Sequence, residues 1–305
     1  MKRALITGSQ GFVGGYLRQE LEQTGYEVVG LDLKTGVNTI AVDLLNGMHL
    51  QEILNDVRPD AVFHLAGQAN VGKSWSMPQK TVELNVVAAI NLMEAVHAVN
   101  PECPMVMVGS SDQYGNLGEA GRQVVETMNT RPQTPYAVSK KAQEEMAAVY
   151  VKAYGMHICM TRSFNHGGAG QGKGFLIPDF ASGIVAVERG EAPCLRVGDL
   201  TARRDFTHVK DVVRAYRLIA EKGHLGEVYN VGSGITYSAQ EVLDKLRAMA
   251  KCPIPVEQDP AKMRPSDTPV ICCDHSKLTD HTGWQPEWSM DSILADALQD
   301  WRGRH

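Results

Sequence analysis

No C-x-x-C pair occurs among the six cysteines, which lie scattered at Cys103, Cys159, Cys194, Cys252, Cys272 and Cys273. A zinc ribbon is thereby excluded and a disulfide framework is not expected; reduced thiols in a cytoplasm are. The ten histidines show no H-E-x-x-H or other ligand spacing, so no metal is expected. Thirty basic residues face 35 acidic ones without forming a basic block, which argues against nucleic acid or an anionic membrane as partner. No apolar run approaches the ~18 residues that span a bilayer, and the sequence opens directly into a strand-like segment, so no secretory leader is expected. What is present is apolar content of 43% over 305 residues, enough for one large domain or two smaller ones with a real core.

The most informative stretch is Arg3 to Gly14, RALITGSQGFVG. Arg3–Thr7 reads as a short buried strand. Gly8, Gly11 and Gly14 follow at three-residue spacing, and Tyr16–Gln23 reads as a helix. Glycine lets the chain turn sharply off the strand, lets backbone approach a diphosphate, and lets the helix lie close to the sheet. The helix N-terminus then offers free N–H groups and a positive dipole end to phosphates. Asp32 ends the next apolar strand, Glu27–Leu31, 24 residues beyond Gly8. A carboxylate there can accept both ribose hydroxyls of an adenine dinucleotide.

Strand-like runs alternate with helical ones through the first half. The strands are Asn38–Asp43, Asp60–Leu65, Pro104–Val108 and His157–Thr161; the helices are Met48–Val57, Gln79–Val99 and Pro135–Tyr154. This alternation predicts an α/β fold: a Rossmann-type doubly wound parallel sheet, with ligands at the carboxyl ends of its strands. Beyond Arg162 the pattern loosens. Short strands near Cys194–Val197 and Arg204–Phe206, a helix over Val209–Glu221, a strand at Val228–Val231 and a Ser-capped helix over Ser238–Ala250 suggest a smaller, interleaved C-terminal α/β lobe. The proline-rich Pro253–Pro269 reads as loop.

Tyr136-Ala-Val-Ser-Lys140 carries the second signal. Residues at i and i+4 share a helix face. A free phenol, with a pKa near 10, is a poor acid–base group at neutrality, and a fixed ammonium beside it lowers that value. The pair can exchange a proton with a carbinol or carbonyl oxygen, and the lysine can hold a ribose. Ser110, Ser111 and Asp112 follow the strand Pro104–Val108, at the ligand edge. A serine hydroxyl there can hydrogen-bond the same oxygen as Tyr136; Asp112 can act as a second acid–base group or bind a sugar hydroxyl. Gly67–Ser74, GQANVGKS, matches the phosphate loop of NTPases. Such a loop needs a helix from its Gly-Lys-Ser, and Pro78 falls inside that helix, so the match reads as coincidence.

These motifs together resemble the extended short-chain dehydrogenase/reductase superfamily, over nearly the whole chain. The carriers are Gly8-x-x-Gly11-x-x-Gly14, Asp43-Leu44, His64-Leu65-Ala66-Gly67, Ser110 and Tyr136-x-x-x-Lys140. The resemblance implies NAD(P)H as cofactor, with Gly8, Gly11, Phe12, Val13, Gly14, Asp32, Asp43, Leu44, Leu65, Ala66, Gly67, Tyr136 and Lys140 around it. It implies Ser110, Tyr136, Lys140 and Asp112 as the catalytic set. Within the superfamily, Arg162-Ser-Phe-Asn165-His166, Gly198 to Phe206 and Met263-Arg264-Pro265-Ser266-Asp267 are similar to the GDP-mannose branch. By that similarity Ser110, Ser111, Asn165, Arg204, Arg264, Ser266 and Asp267 would bind a GDP-sugar. Residues 1–162 would hold the cofactor and 163–305 mainly the nucleotide sugar, with about 205–235 returning to the first domain. The implied activity is reduction of the C4 ketone of GDP-4-keto-6-deoxy-D-mannose to GDP-D-rhamnose. The alternatives are 4,6-dehydration of GDP-mannose and reduction from the other face to GDP-6-deoxy-D-talose. A homodimer built on the long helices Gln79–Val99 and Pro135–Tyr154 is expected by resemblance only. One departure is Gly167-Gly168-Ala169-Gly170, where relatives carry an isoleucine and a proline.

Overall fold

The computed structural model describes residues 2–116, 123–262 and 270–304. Seven parallel strands form the main sheet: β1 (Lys2–Thr7), β2 (Tyr26–Asp32), β3 (Thr39–Ala41), β4 (Ala61–His64), β5 (Met105–Val108), β7 (Ile158–Ser163) and β11 (Val228–Val231), in the spatial order β11-β7-β5-β4-β1-β2-β3. Runs such as AVFH in β4 and MVMV in β5 are apolar at nearly every position because helices cover both faces. The strand order reverses on either side of β1, and that reversal opens a crevice at the carboxyl edge.

On one face α1 (Phe12–Gln23) lies beside α8 (Val209–Lys222), closing a core that includes Leu17, Phe63, Tyr216 and Trp284. The other face is covered by α2 (Gly47–Val57), α5 (Ala88–Val99) and α6 (Pro135–Tyr154). Two short helices, α3 (Val71–Ser76) and α4 (Pro78–Val82), lead into α5 through one π-helical turn, Glu83–Val87. The single helix expected over Gln79–Val99 is therefore wound differently in its middle. The stretch Pro78–Val99, with mean hydropathy 1.4, is long and apolar enough by composition to cross a bilayer, contrary to the expectation from apolar runs. Its buried part packs on α2 and α6.

The second sheet runs β12-β10-β14-β6, with β8 pairing to β10: β6 (Gln123–Val124), β8 (Asn165–Gly167), β10 (Arg203–His208), β12 (Thr236–Ser238) and β14 (Val270–Cys273). Pro253–Pro269, read as loop, contains β13 (Val256–Gln258), which pairs with β9 (Leu195–Val197). Helices α7 (Leu176–Glu188), α9 (Ala239–Ala248) and α11 (Met290–Gly303) enclose a separate core around Phe180, Phe206, Leu243 and Leu294. The short α10 (Ser276–Thr282) packs against α8.

Candidate active site

A cavity of about 780 Å³ opens at the carboxyl edge of the main sheet. Its floor is the glycine turn. Gly8 has φ +72°, and a Cβ there would meet the Ala66 nitrogen at 2.9 Å. A Cβ on Gly14 would meet the Gly8 carbonyl oxygen at 2.4 Å, so only glycine lets α1 start this close to β1. The helix begins at Phe12, four residues earlier than its sequence pattern indicated, because the turn delivers helical backbone directly. No side chain caps that N-terminus. Its first residues, Phe12, Val13 and Gly14, line the cavity, where the unpaired amides of a helix start can cradle an anion.

Asp32 ends β2 at the rim. Its carboxylate is held by the Gln10 N–H (2.9 Å) and the Leu33 N–H (2.8 Å). Asp43, Leu44, Leu65, Ala66 and Gly67 line the adjoining wall. Thr7 Oγ1 accepts the Ala66 N–H (3.2 Å) and meets His64 Nδ1 at 2.8 Å. His64 Nε2 is buried without a hydrogen-bond partner among the described residues. Burial holds the His64 pKa at about 3.

Thr134 caps α6 by accepting the Ala137 N–H (3.1 Å), and Pro135 opens its first turn. This places Tyr136 and Lys140, one turn apart, on the cavity wall. Lys140 Nζ donates to the Val108 carbonyl (2.8 Å) and to Gln143 Oε1 (2.9 Å), and burial lowers its pKa from 10.5 to about 8. The phenol differs from the expectation. Burial first, then the negative charge of Asp112, push its pKa above the ordinary value, while a hydrogen bond with Ser110 pulls it down. The ammonium is engaged elsewhere and does not offset them. Ser110 Oγ also accepts the Asp112 N–H (3.2 Å). Burial raises the Asp112 pKa against the opposing pull of Arg204.

Most of the residues singled out from sequence converge here. Ser110, Ser111, Asp112, Tyr136, Lys140 and Asn165 share the cavity with Gly8, Gly11, Phe12, Val13, Gly14 and Asp32. Arg204 does not line it; it reaches the site electrostatically, through Asp112. Its neighbour Arg203 is turned to Thr236 and Glu241. Arg264, Ser266 and Asp267 lie outside the described residues.

The nucleotide-triphosphate reading of Gly67–Ser74 finds no support in the geometry. Asn70 already caps the six-residue α3, and Ser74 Oγ, buried, donates to the Val71 carbonyl (2.7 Å). Among the described residues no His, Cys, Asp or Glu cluster could hold a metal.

Sequence reasoning missed two buried side chains. Asn85, in the π-turn, accepts the Gln68 N–H (2.7 Å) and donates to Ser139 Oγ (2.9 Å), joining the Gly67 wall to the tyrosine turn. Asp205 gathers the N–H groups of Ser233, Gly234 and Cys273 beneath the second lobe. An asparagine in a helix and an aspartate beside two arginines carry no local signal of these roles.

Residues 5–297 match the family described as GDP-mannose 4,6 dehydratase. The chain is 34% identical to GDP-6-deoxy-D-mannose reductase of Pseudomonas aeruginosa, over 99% of this chain and 98% of that one. It is 27% identical to a GDP-mannose 4,6-dehydratase of Vibrio cholerae, over 98% and 93%. Among solved structures it superposes on RMD from Pseudomonas aeruginosa complexed with NADPH, with a TM-score of 0.89, 33% identity and full coverage of both chains.

Proposed function

We infer the reaction from this premise: the chain belongs to the GDP-mannose 4,6-dehydratase family, and we propose that it is an NAD(P)H-dependent reductase of the C4 ketone of GDP-4-keto-6-deoxy-D-mannose, giving GDP-D-rhamnose. The observation that carries this reading is the meeting of Ser110, Tyr136 and Lys140 with an uncapped glycine-turn helix in one cavity. The glycine contacts fit a dinucleotide, because a side chain at Gly8 or Gly14 would collide with backbone. When bound, that cofactor supplies the hydride. Residues 1–162 hold it, and 163–305 mainly hold the GDP-sugar, with about 205–235 returning to the first domain.

The chain's own groups handle the oxygen. Ser110 donates to the ketone oxygen and polarises it. Tyr136 gives its proton to that oxygen as it becomes an alcohol; a phenol held above its ordinary pKa is fully protonated for this direction. Lys140 keeps its ammonium against the cofactor ribose. Arg204 holds Asp112, which binds a sugar hydroxyl, and Asn165 contacts the sugar from the second lobe. By family resemblance Arg264, Ser266 and Asp267 complete the nucleotide site. Asp32, fixed at the rim, receives the adenosine ribose hydroxyls and repels a 2′-phosphate, which favours NADH; Lys34 opposes this.

The half-buried carboxyl of Asp112, whose charge acts on the Tyr136 phenol, favours a second reading, 4,6-dehydration of GDP-mannose. One experiment separates the two. GDP-mannose alone, and the 4-keto sugar with NADH or NADPH, are incubated with the protein and the products read by NMR. Reduction predicts turnover only in the second mixture; consumption of GDP-mannose without added reductant supports the dehydratase. A product with GDP-6-deoxy-D-talose configuration would reverse the face assigned here.

A homodimer along α4, α5 and α6 is part of the reading. Val82 on α4, Val87 in the π-turn, and Val138 and Val149 on α6 are each more than 40% exposed, apolar surface that a second copy would cover. Six free cysteines suit a cytoplasmic enzyme.

A further inference from the structure

A chain of buried polar side chains runs behind Ser110, away from the cavity. The Ser110 N–H donates to Gln113 Oε1 (3.0 Å), and Gln113 Nε2 donates to Glu144 Oε2 (2.7 Å). Gln113 is fully buried. Glu144 lies two turns beyond Tyr136 on α6, on the face that also carries Lys140. Arg162 grips it with two bonds, from Nε (2.9 Å) and Nη2 (2.8 Å), and Lys141 Nζ adds a third at 2.9 Å. Arg162 in turn lies 4.8 Å over the Tyr114 ring and donates to the Glu126 carbonyl (3.1 Å). Gly109 makes room for the arrangement, since a Cβ there would come within 2.7 Å of Gln113 Oε1.

An amide has two nearly isosteric ends, and something must decide which faces Ser110. Glu144 decides it. A carboxylate accepts only, so it takes the NH2 end and turns the carbonyl end toward the Ser110 N–H. Burial works to raise the Glu144 pKa, but Arg162 and Lys141 outweigh it and keep the group ionised. The Arg162–Glu144 pair is thus a bidentate internal brace that ties α6 to β7, and Gln113 carries that brace on to the turn after β5.

We propose that Gln113, oriented by the Glu144–Arg162 pair, is a positioning residue that holds Ser110 in register with Tyr136. The inference deepens the reductase reading and rests on it for its kinetic consequence, though its structural content does not. Neither Gln113 nor Glu144 lines the cavity, so each acts only through Ser110.

The test uses the whole chain with two substitutions at one position. Gln113→Leu removes both hydrogen bonds at similar volume. It is expected to lower kcat on the 4-keto sugar by about 10- to 100-fold, the scale of a misplacement near 1 Å, with KM and cofactor Kd within about twofold. In Gln113→Glu a carboxyl faces Glu144, with Lys141 and Arg162 beyond it. Burial and the like charge raise its pKa, and once protonated it donates to Glu144 and accepts from Ser110 as the amide does. Its turnover should therefore recover as pH falls, whereas Gln113→Leu should not recover. The backbone 1H–15N signal of Ser110 reads the hydrogen bond without catalysis: it should move upfield in Gln113→Leu and return toward wild type in Gln113→Glu at low pH. Wild type inactive on every 4-keto sugar would sink the reductase reading alone. An unmoved Ser110 amide, or equal kcat in folded Gln113→Leu and wild type, would overturn the positioning role.

Discussion

Lys140 offers the most quantitative check, because its function and its burial pull in opposite directions. The side chain is 6% exposed, and its two hydrogen-bond partners are neutral acceptors, the Val108 carbonyl and Gln143 Oε1. Without a carboxylate partner, burial brings the pKa down from 10.5 to about 8. That fall corresponds to about 3 kcal/mol, at about 1.4 kcal/mol per tenfold change in proton affinity. The penalty falls on the charged form. It is present in full below pH 8 and is relieved as pH rises from about 8 toward 10.5, where the unfolded chain still binds the proton and the folded chain does not. Wild type should therefore gain stability relative to Lys140→Met across this window, by about 3 kcal/mol. The constant difference between the two proteins, set by the acceptors left unpaired in the variant, cancels from the trend. Urea denaturation of both proteins at four pH values between 7 and 10.5 measures it. Reductase turnover of the wild type should decline over the same rise, as the ammonium is lost. Stability curves that run parallel would refute the reasoning, since they would show that burying this ammonium costs nothing.

Further predictions follow from the same geometry. Tyr136→Phe should cut turnover by about 100- to 10,000-fold, the usual worth of a positioned acid, while fluorescence titration shows cofactor affinity little changed. Gly14→Ala forces a methyl to 2.4 Å from the Gly8 carbonyl oxygen; the overpacking should weaken cofactor binding by about 10- to 100-fold, read by calorimetry. His64 has its pKa lowered from 6.5 to about 3. The folded chain then binds fewer protons than the unfolded one between those values, so stability is lost as pH falls through that window. A His64→Leu variant should show a shallower acid-unfolding curve there, by up to about 5 kcal/mol.

The first half of the fold was legible because its signals are local. A strand, a glycine turn and a helix leave their mark on consecutive residues, and Tyr136 and Lys140 declare a shared face by spacing alone. The second sheet was harder, because β12, β14 and β8 are strands of three or four residues that exist by pairing with β10 rather than by their own pattern. The π-turn at Glu83–Val87 escaped notice since one extra residue barely alters helical periodicity, while Asn85 within it is placed by tertiary contact with Gln68 and Ser139. The same holds for Gln113, Glu144 and Arg162, which are 31 and 18 residues apart in sequence and meet only in the fold. The electrostatics of Tyr136 were misjudged for a related reason. Spacing announced a nearby ammonium, but not that Val108 and Gln143 would occupy it, nor that Asp112 would lie closer to the phenol's field.

Following a label from cofactor to sugar tests the proposed chemistry most directly. GDP-4-keto-6-deoxy-D-mannose is offered with NADH or NADPH carrying two deuterium atoms at nicotinamide C4, and the product is analysed by NMR. Deuterium at C4 of a sugar with the rhamnose configuration is the predicted result. A product without the label, or labelled at another carbon, would contradict the assignment of this cavity to ketone reduction.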